Sequence, residues 1–259
     1  MPVADLHVHT TTSDGTLEPA ALPAAAAEAG LSAVAVTDHD RLNPAFDGPV
    51  LERAGVTVVH GIELRVQATD RRVDLLGYGV EPTEALTATL EAIQRDRMGR
   101  GRAIVEGLED RLGVRLDVEV EPGLGRPDIA RAVAAHPDTD YDHPTPVFED
   151  HIGDGRPLYV AREIPTFERG RALLAEACAL VGLAHPLRYD DPAAALALTA
   201  DLDAVERHYP YAGAVDQTPV DRAIEAHDLV PTGGSDAHGE TLGAAGLDAA
   251  GWARVRERL

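Results

Sequence analysis

At 259 residues the chain is long enough to bury a barrel-sized core, and its net charge of −21, from 44 acidic against 23 basic side chains, disfavours a long nucleic-acid duplex as partner. All 23 basic residues are arginine, and the single cysteine, Cys178, excludes internal disulfides and thiolate metal clusters. No run of about 18 apolar residues and no basic–apolar–small start is present, so the expectation is a cytoplasmic protein with neither membrane span nor signal peptide. The acidic residues spread along the chain instead of forming a tail, as in a surface adapted to a salt-rich cytoplasm. A GC-rich genome would also explain the missing lysine, but explains the acid excess less well.

Val3 to His9 alternates as a strand, with His7 and His9 on one face. Pro19 opens an alanine-rich helix that Gly30 closes. Ala33–Val36 reads as a strand delivering Asp38 and His39. Val56–Ile62 delivers Glu63, and Val73–Tyr78 carries Asp74 near its start. This strand–helix–strand rhythm predicts a parallel sheet or barrel. From Thr83 to about Leu112 the pattern is one long helix, followed by a turn at Pro122-Gly123 and short helical pieces from Pro127 to about Gly155. The alternation resumes with a helix from Thr166 to Leu180 that holds Cys178, a strand Val181–Ala184, and His185-Pro186. A strand Ala204–His208, a helix Pro219–Ala226, the run Leu229–Thr232 and a C-terminal helix complete the chain. The expected division is a barrel of residues 1–83 and 162–259 with an inserted helical lid subdomain, 84–161.

Imidazoles and carboxylates cluster at strand ends: His7, His9, Asp14, His39, Glu63, Asp236 and His238. Each alone could be a cap or a turn residue. Together, at the ends where barrels build their sites, they point to a metal centre. His7 and His9 suit one ion that Glu63 could bridge to a second, with Asp236 as anionic ligand, and Asp14, His39 and His238 form a further cluster. No GxxxxGK loop is possible without lysine, which argues against nucleotide-driven phosphoryl transfer.

The ordered segments DLHVHTTTSDG, TDHD, GIE, LLGYG, GRPDIA, LAHPLRY and GGSDAHG resemble the PHP (polymerase and histidinol phosphatase) family of metal-dependent phosphoesterases, nearly end to end. Within it, the stand-alone enzymes acting on nucleotide 3′-phosphates and short RNA are the most similar. The resemblance implies an α/β fold, a distorted (β/α)7 TIM-like barrel, with two to three divalent ions (Mn, Zn or Fe) at its mouth. It implies one ion on His7, His9, Glu63 and Asp236, a second sharing Glu63 with Asp74 and Asp128, and a third on Asp14, His39 and His238. It also implies catalytic and phosphate-contacting roles for His185 and Arg188, and substrate contacts for Asp38 and Asp40. Asp74 and Asp128 stand where the family pattern has histidine, which suggests either an all-oxygen site for a harder ion such as Mn²⁺ or Mg²⁺, or the loss of that ion.

The function so implied is hydrolysis of a nucleoside 3′,5′-bisphosphate, or of short single-stranded RNA from its 5′ end. Two alternatives are a phosphatase for a small metabolite such as histidinol phosphate, and a non-catalytic metal-dependent nucleotide-binding module. The acidic surface carries its own prediction. The thermal midpoint should rise as KCl is raised from dilute buffer to molar concentration, because screening relieves self-repulsion. A midpoint that is flat or falls across that range rules out adaptation to salt.

Overall fold

Short apolar runs become the staves of a nearly closed, mixed barrel of seven strands. The computed structural model describes all 259 residues and divides them into two units, Met1–Ala88 with Ile164–Leu259, and Thr89–Glu163. In the first unit, strands β1 (Ala4–Val8), β2 (Ala33–Val36), β4 (Val56–Ala68), β5 (Arg71–Val80), β6 (Cys178–Leu183), β7 (Ala204–His208) and β8 (Val230–Gly233) follow one another around the sheet. A short β3 (Val50–Arg53), absent from the sequence reading, pairs only with β4. Helices α1 (Leu22–Glu28), α5 (Phe167–Ala177), α6 (Pro192–Ala197), α7 (Thr218–His227) and α8 (Ala249–Arg256) belong to this unit as well.

The expected parallel rhythm fails in the middle of the barrel. β4 runs past Ile62 to Ala68 and turns back through Thr69 and Asp70 into β5, with Gly61 opposite Tyr78 and Arg65 opposite Asp74. A two-residue connection can join only antiparallel neighbours, because a parallel pair needs a crossover of a dozen or more residues. β5 also pairs antiparallel with β6, whereas the remaining barrel pairs are parallel. The extension of β4 follows from its sequence: Leu64, Val66 and Ala68 are buried while Arg65 and Gln67 between them are partly exposed. Cys178 opens β6 directly after α5 instead of lying within a helix, and burial pushes its thiol pKa up to about 12.

Closure occurs between β1 and the segment after β8. Val8 bridges Ala237 in parallel, and the His9 N–H donates to the Ala237 carbonyl at 2.9 Å. Gly234 makes that approach possible, since a Cβ there would collide with the His7 backbone nitrogen. The interior is filled by Leu6, Val59, Leu76, Tyr78, Leu180 and Trp252, among others.

The second unit is helical. It holds most of α2 (Glu84–Leu112), then α3 (Arg126–Ala135), α4 (Pro144–Val147) and a π-turn, Phe148–Ile152. Its own core gathers Ile104, Leu108, Ile129, Val133, Val147 and Ile152.

Two glycines give opposite expectations. Gly234→Ala should destabilise by about 1–3 kcal/mol, because the methyl group collides with fixed backbone. Gly99→Ala, on the exposed side of α2 with nothing within 4 Å, should stabilise by about 0.5–1 kcal/mol. Thermal or denaturant melts of both variants check the pair; equal midpoints would show that Gly234 has room.

Candidate metal centre

Backbone hydrogen bonds at the mouth decide which side chains meet. The Asp40 N–H donates to the Glu63 carbonyl at 2.8 Å and the Glu63 N–H to that of Asp38 at 3.2 Å, so the loop after β2 lies along β4 with His39 beside Glu63. His185 and Asp236 each follow a strand with positive φ, 29° and 52°, uncommon for residues with a side chain and found where a chain turns sharply at a functional site.

Three groups of potential ligands result: His9, Asp14, His39 and His238; His7, His9 and Glu63; and Glu63, Asp74 and His185. Asp236 completes the second, its Oδ1 lying 3.5 Å from His7 Nε2 and 3.1 Å from His9 Nε2. Glu63 Oε2 stands 3.5 and 3.4 Å from the same two nitrogens. Ligand atoms about 2.1 Å from a tetrahedral ion sit about 3.4 Å apart, so these spacings match the edges of a coordination polyhedron. The contacts are not hydrogen bonds: His7 Nε2, both His9 nitrogens, Asp14 Oδ1 and Glu63 Oε2 are buried without a hydrogen-bond partner. Buried polar atoms are normally satisfied, and a cluster of converging orphans of this donor type fits a cation. The residues present therefore suit divalent ions.

The electrostatics agree. Burial opposes charge on His39, yet Glu63 and then Asp14 overcome it and raise its pKa to about 9. Burial likewise opposes charge on His7, which Glu206 and Glu63 outweigh, lifting its pKa well above the usual range. Glu63 is held well below the carboxylate range despite its burial, chiefly by His39 and His7. His9 goes the other way, lowered by burial and then by the charge of His39, which leaves a neutral imidazole able to ligate. The carboxylates of the mouth thus favour the charged form of His7 and His39.

Several sequence expectations need correction. Asp38 is fully buried and saturated: it accepts from the Thr10 N–H at 2.8 Å, Ser13 Oγ at 2.7 Å and Asn43 Nδ2 at 2.8 Å. It organises the loop carrying Asp14 and has no face toward a substrate. Asp40 is equally buried and accepts from the Arg65 N–H at 3.0 Å. His185, expected at the phosphate, is 5% exposed, and its Nε2 lies 3.0 Å from Glu63 Oε1, which places it among the candidate ligands. Asp74 joins Glu63 and His185, so an imidazole stands in its group, and the carboxylate of Asp128 accepts from the Gly125 N–H at 2.7 Å and pairs with Arg131, capping α3.

Three participants escaped the sequence reading. Glu206 is fully buried and accepts from the His185 N–H at 2.7 Å, with Oε1 3.0 Å from His7 Nδ1, fixing which His7 nitrogen faces the site. Asp5 accepts from the Ser235 N–H, Ser235 Oγ and the Gly243 N–H at 2.8, 2.6 and 2.8 Å, and so anchors the loop bearing Asp236 and His238. Arg65 forks onto Asp74 through Nε and Nη2 at 2.7 and 2.6 Å. No local signal marks Asp5 or Glu206: the register of β1 shifts between Asp5 and Val8, and Glu206 shares its strand face with His208, which lies outside the ligand groups.

Beside the ligand groups opens a cleft of about 250 Å³, lined in part by Arg65, Asp74, His185, Arg188, Tyr189 and Asp236. Arg188 Nη1 donates at 2.9 Å to both Tyr209 Oη and Asp236 Oδ2, and its guanidinium lies 5.6 Å from the Tyr209 ring centre.

A family model described as PHP domain matches residues 5–141, more than half of the chain. The chain belongs to the PHP domain family. Among its relatives is the 3′,5′-nucleoside bisphosphate phosphatase of Chromobacterium violaceum, 29% identical over 194 residues, 72% of this chain and 67% of that one. The phosphoribosyl 1,2-cyclic phosphate 1,2-diphosphodiesterase of Eggerthella lenta is 30% identical over 256 residues, 92% of this chain and 95% of its own. The crystal structure of a predicted metal-dependent phosphoesterase from Bifidobacterium adolescentis superposes with a TM-score of 0.77 at 26% identity, covering 98% of this PHP chain and 96% of that one.

Second-layer support is testable at Glu206. Glu206→Gln should weaken Mn²⁺ binding by about 10–100-fold while the fold is retained, because the His7 imidazole loses its anionic partner. Calorimetric titration of the metal-stripped protein measures this, and an unchanged affinity would remove Glu206 from the site.

Proposed function

We propose that this PHP-family chain hydrolyses phosphate esters of nucleotides, releasing the 3′-phosphate of a nucleoside 3′,5′-bisphosphate or trimming short RNA from its 5′ end. One observation carries the reading: orphaned imidazole and carboxylate atoms converge at the barrel mouth beside a cleft of about 250 Å³ bordered by two arginines, Arg65 and Arg188. His7, His9, Glu63 and Asp236, and Asp14, His39 and His238, would hold divalent ions, which when bound would supply Lewis-acid polarisation of the phosphoryl oxygens and a water of lowered pKa. No side-chain nucleophile is then needed.

The chain's own groups bind and orient. Arg188 is half-exposed, steered by Asp236 and Tyr209, with N–H donors left over for phosphate oxygens on the cleft side. As the ester P–O bond breaks and the attacking water forms the new one, negative charge grows on the phosphoryl oxygens, where Arg188 absorbs part of it. Tyr209 donates to Asp236 Oδ2 at 2.9 Å, which keeps Oδ1 turned toward His7 and His9.

A second reading is favoured by one finding. The similarity to the Eggerthella lenta cyclic-phosphate diesterase spans nearly the whole of both chains, further than that to the bisphosphate phosphatase. A ribose cyclic phosphate needs the same hydrolysis at phosphorus and an equally small cleft.

Treatment with chelator should abolish hydrolysis and Mn²⁺ should restore it. A panel of nucleoside 3′,5′-bisphosphates, 5′-phosphorylated short RNA, a ribose 1,2-cyclic phosphate and histidinol phosphate then ranks substrates by kcat/KM. The bisphosphate or short RNA should lead; a lead by the cyclic phosphate selects the second reading. Arg188→Ala should lower kcat/KM about 10–100-fold, the loss of one or two charge-assisted hydrogen bonds. Full activity in the chelated protein would end the metal reading.

A further inference from the structure

Of the three ligand groups at the mouth, one is already partnered. Asp74 has both carboxylate oxygens engaged by Arg65 in a parallel fork, Nε on Oδ1 and Nη2 on Oδ2, the strongest geometry available to this pair of side chains. The contact is built into the sheet, because Arg65 and Asp74 stand directly opposite each other in the β4–β5 hairpin. Asp74 is 1% exposed, so the pair is held with little competition from water. The other two groups keep buried atoms without a hydrogen-bond partner: His7 Nε2, both His9 nitrogens and Asp14 Oδ1 among them.

We propose that the Arg65 guanidinium takes the place of a cation at the Glu63–Asp74–His185 group, so that this chain holds two divalent ions although its side chains form three ligand groups. The proposal rests on the phosphoesterase reading above. A third divalent ion would sit against a fixed positive charge, with neither Asp74 oxygen free to receive it. The guanidinium borders the cleft and its side chain is 36% exposed, so its unspent N–H groups serve a bound phosphate where the replaced ion would have done so.

The test counts metal and does not depend on substrate. Metal-stripped full-length protein titrated with Mn²⁺ by calorimetry, with the bound metal measured by mass spectrometry, should bind two ions per chain. Arg65→Ala should raise the count to three, Arg65→Lys should hold it at two, and Arg65→Ala combined with Asp74→Asn should return it to two. Should Arg65→Ala fail to fold, Arg65→Met gives the same comparison, and the wild-type count stands by itself. Three ions in the wild type, or one, overturns the proposal, as does a count of two in a folded Arg65→Ala or Arg65→Met variant. No binding at all in the wild type overturns the metal reading with it, whereas a count of three leaves that reading intact.

Discussion

Glu63 is a fully buried carboxylate at the mouth of a barrel, and most of what surrounds it answers the cost of keeping a charge there. His7, His9, His39 and His185 each place a ring nitrogen within 3.5 Å of its oxygens. An isolated carboxylate in this position would take up a proton. With imidazoles from β1, from the loop after β2 and from the loop after β6, it stays ionised and can hold cations. The barrel is the device that assembles those segments, and Gly234 is the place where its closure depends on a missing side chain.

The carboxylates of the mouth divide by what they touch. Asp5 and Asp38 are saturated by backbone N–H and hydroxyl donors, and each ties down a loop that carries ligands. Glu206 does the same for an imidazole and a backbone turn. Glu63 and Asp14 retain oxygens with no hydrogen-bond partner. Asp74 falls between, buried like a ligand but bound by arginine. In a protein with 44 acidic residues, the presence of an acid says little about function; which donors reach it says much more.

The same distinction governs the arginines. Arg188 is half-exposed, shared between Asp236 and Tyr209, and free to meet an incoming anion. Arg65 is locked across a strand pair and acts mainly on the site itself. Arg131 closes a carboxylate cap in the helical unit. Being permanently charged, arginine fits each of these settings without a change of protonation.

The gathering of His7, His9, Asp14, His39, Glu63, Asp236 and His238 was legible in the sequence alone, because hydrophobic alternation marks strand ends and barrels build sites there. The barrel strands were legible for the same reason, with Ala204–His208 found at its observed limits, whereas β3 was not. The antiparallel turn between Ala68 and Arg71 was hidden, since Thr69-Asp70 is not a strong hairpin signal, and with it the pairing of Arg65 to Asp74. So were the opposite fates of Asp38 and Asp74, and the capping of α3 by Asp128. Local pattern determines which residues lie on strands and at their ends, because it depends on neighbours in the chain. Whether a carboxylate meets a backbone amide, a guanidinium or other metal-ligand atoms depends on partners as distant as Asp5 and Ser235, and only the folded barrel decides it.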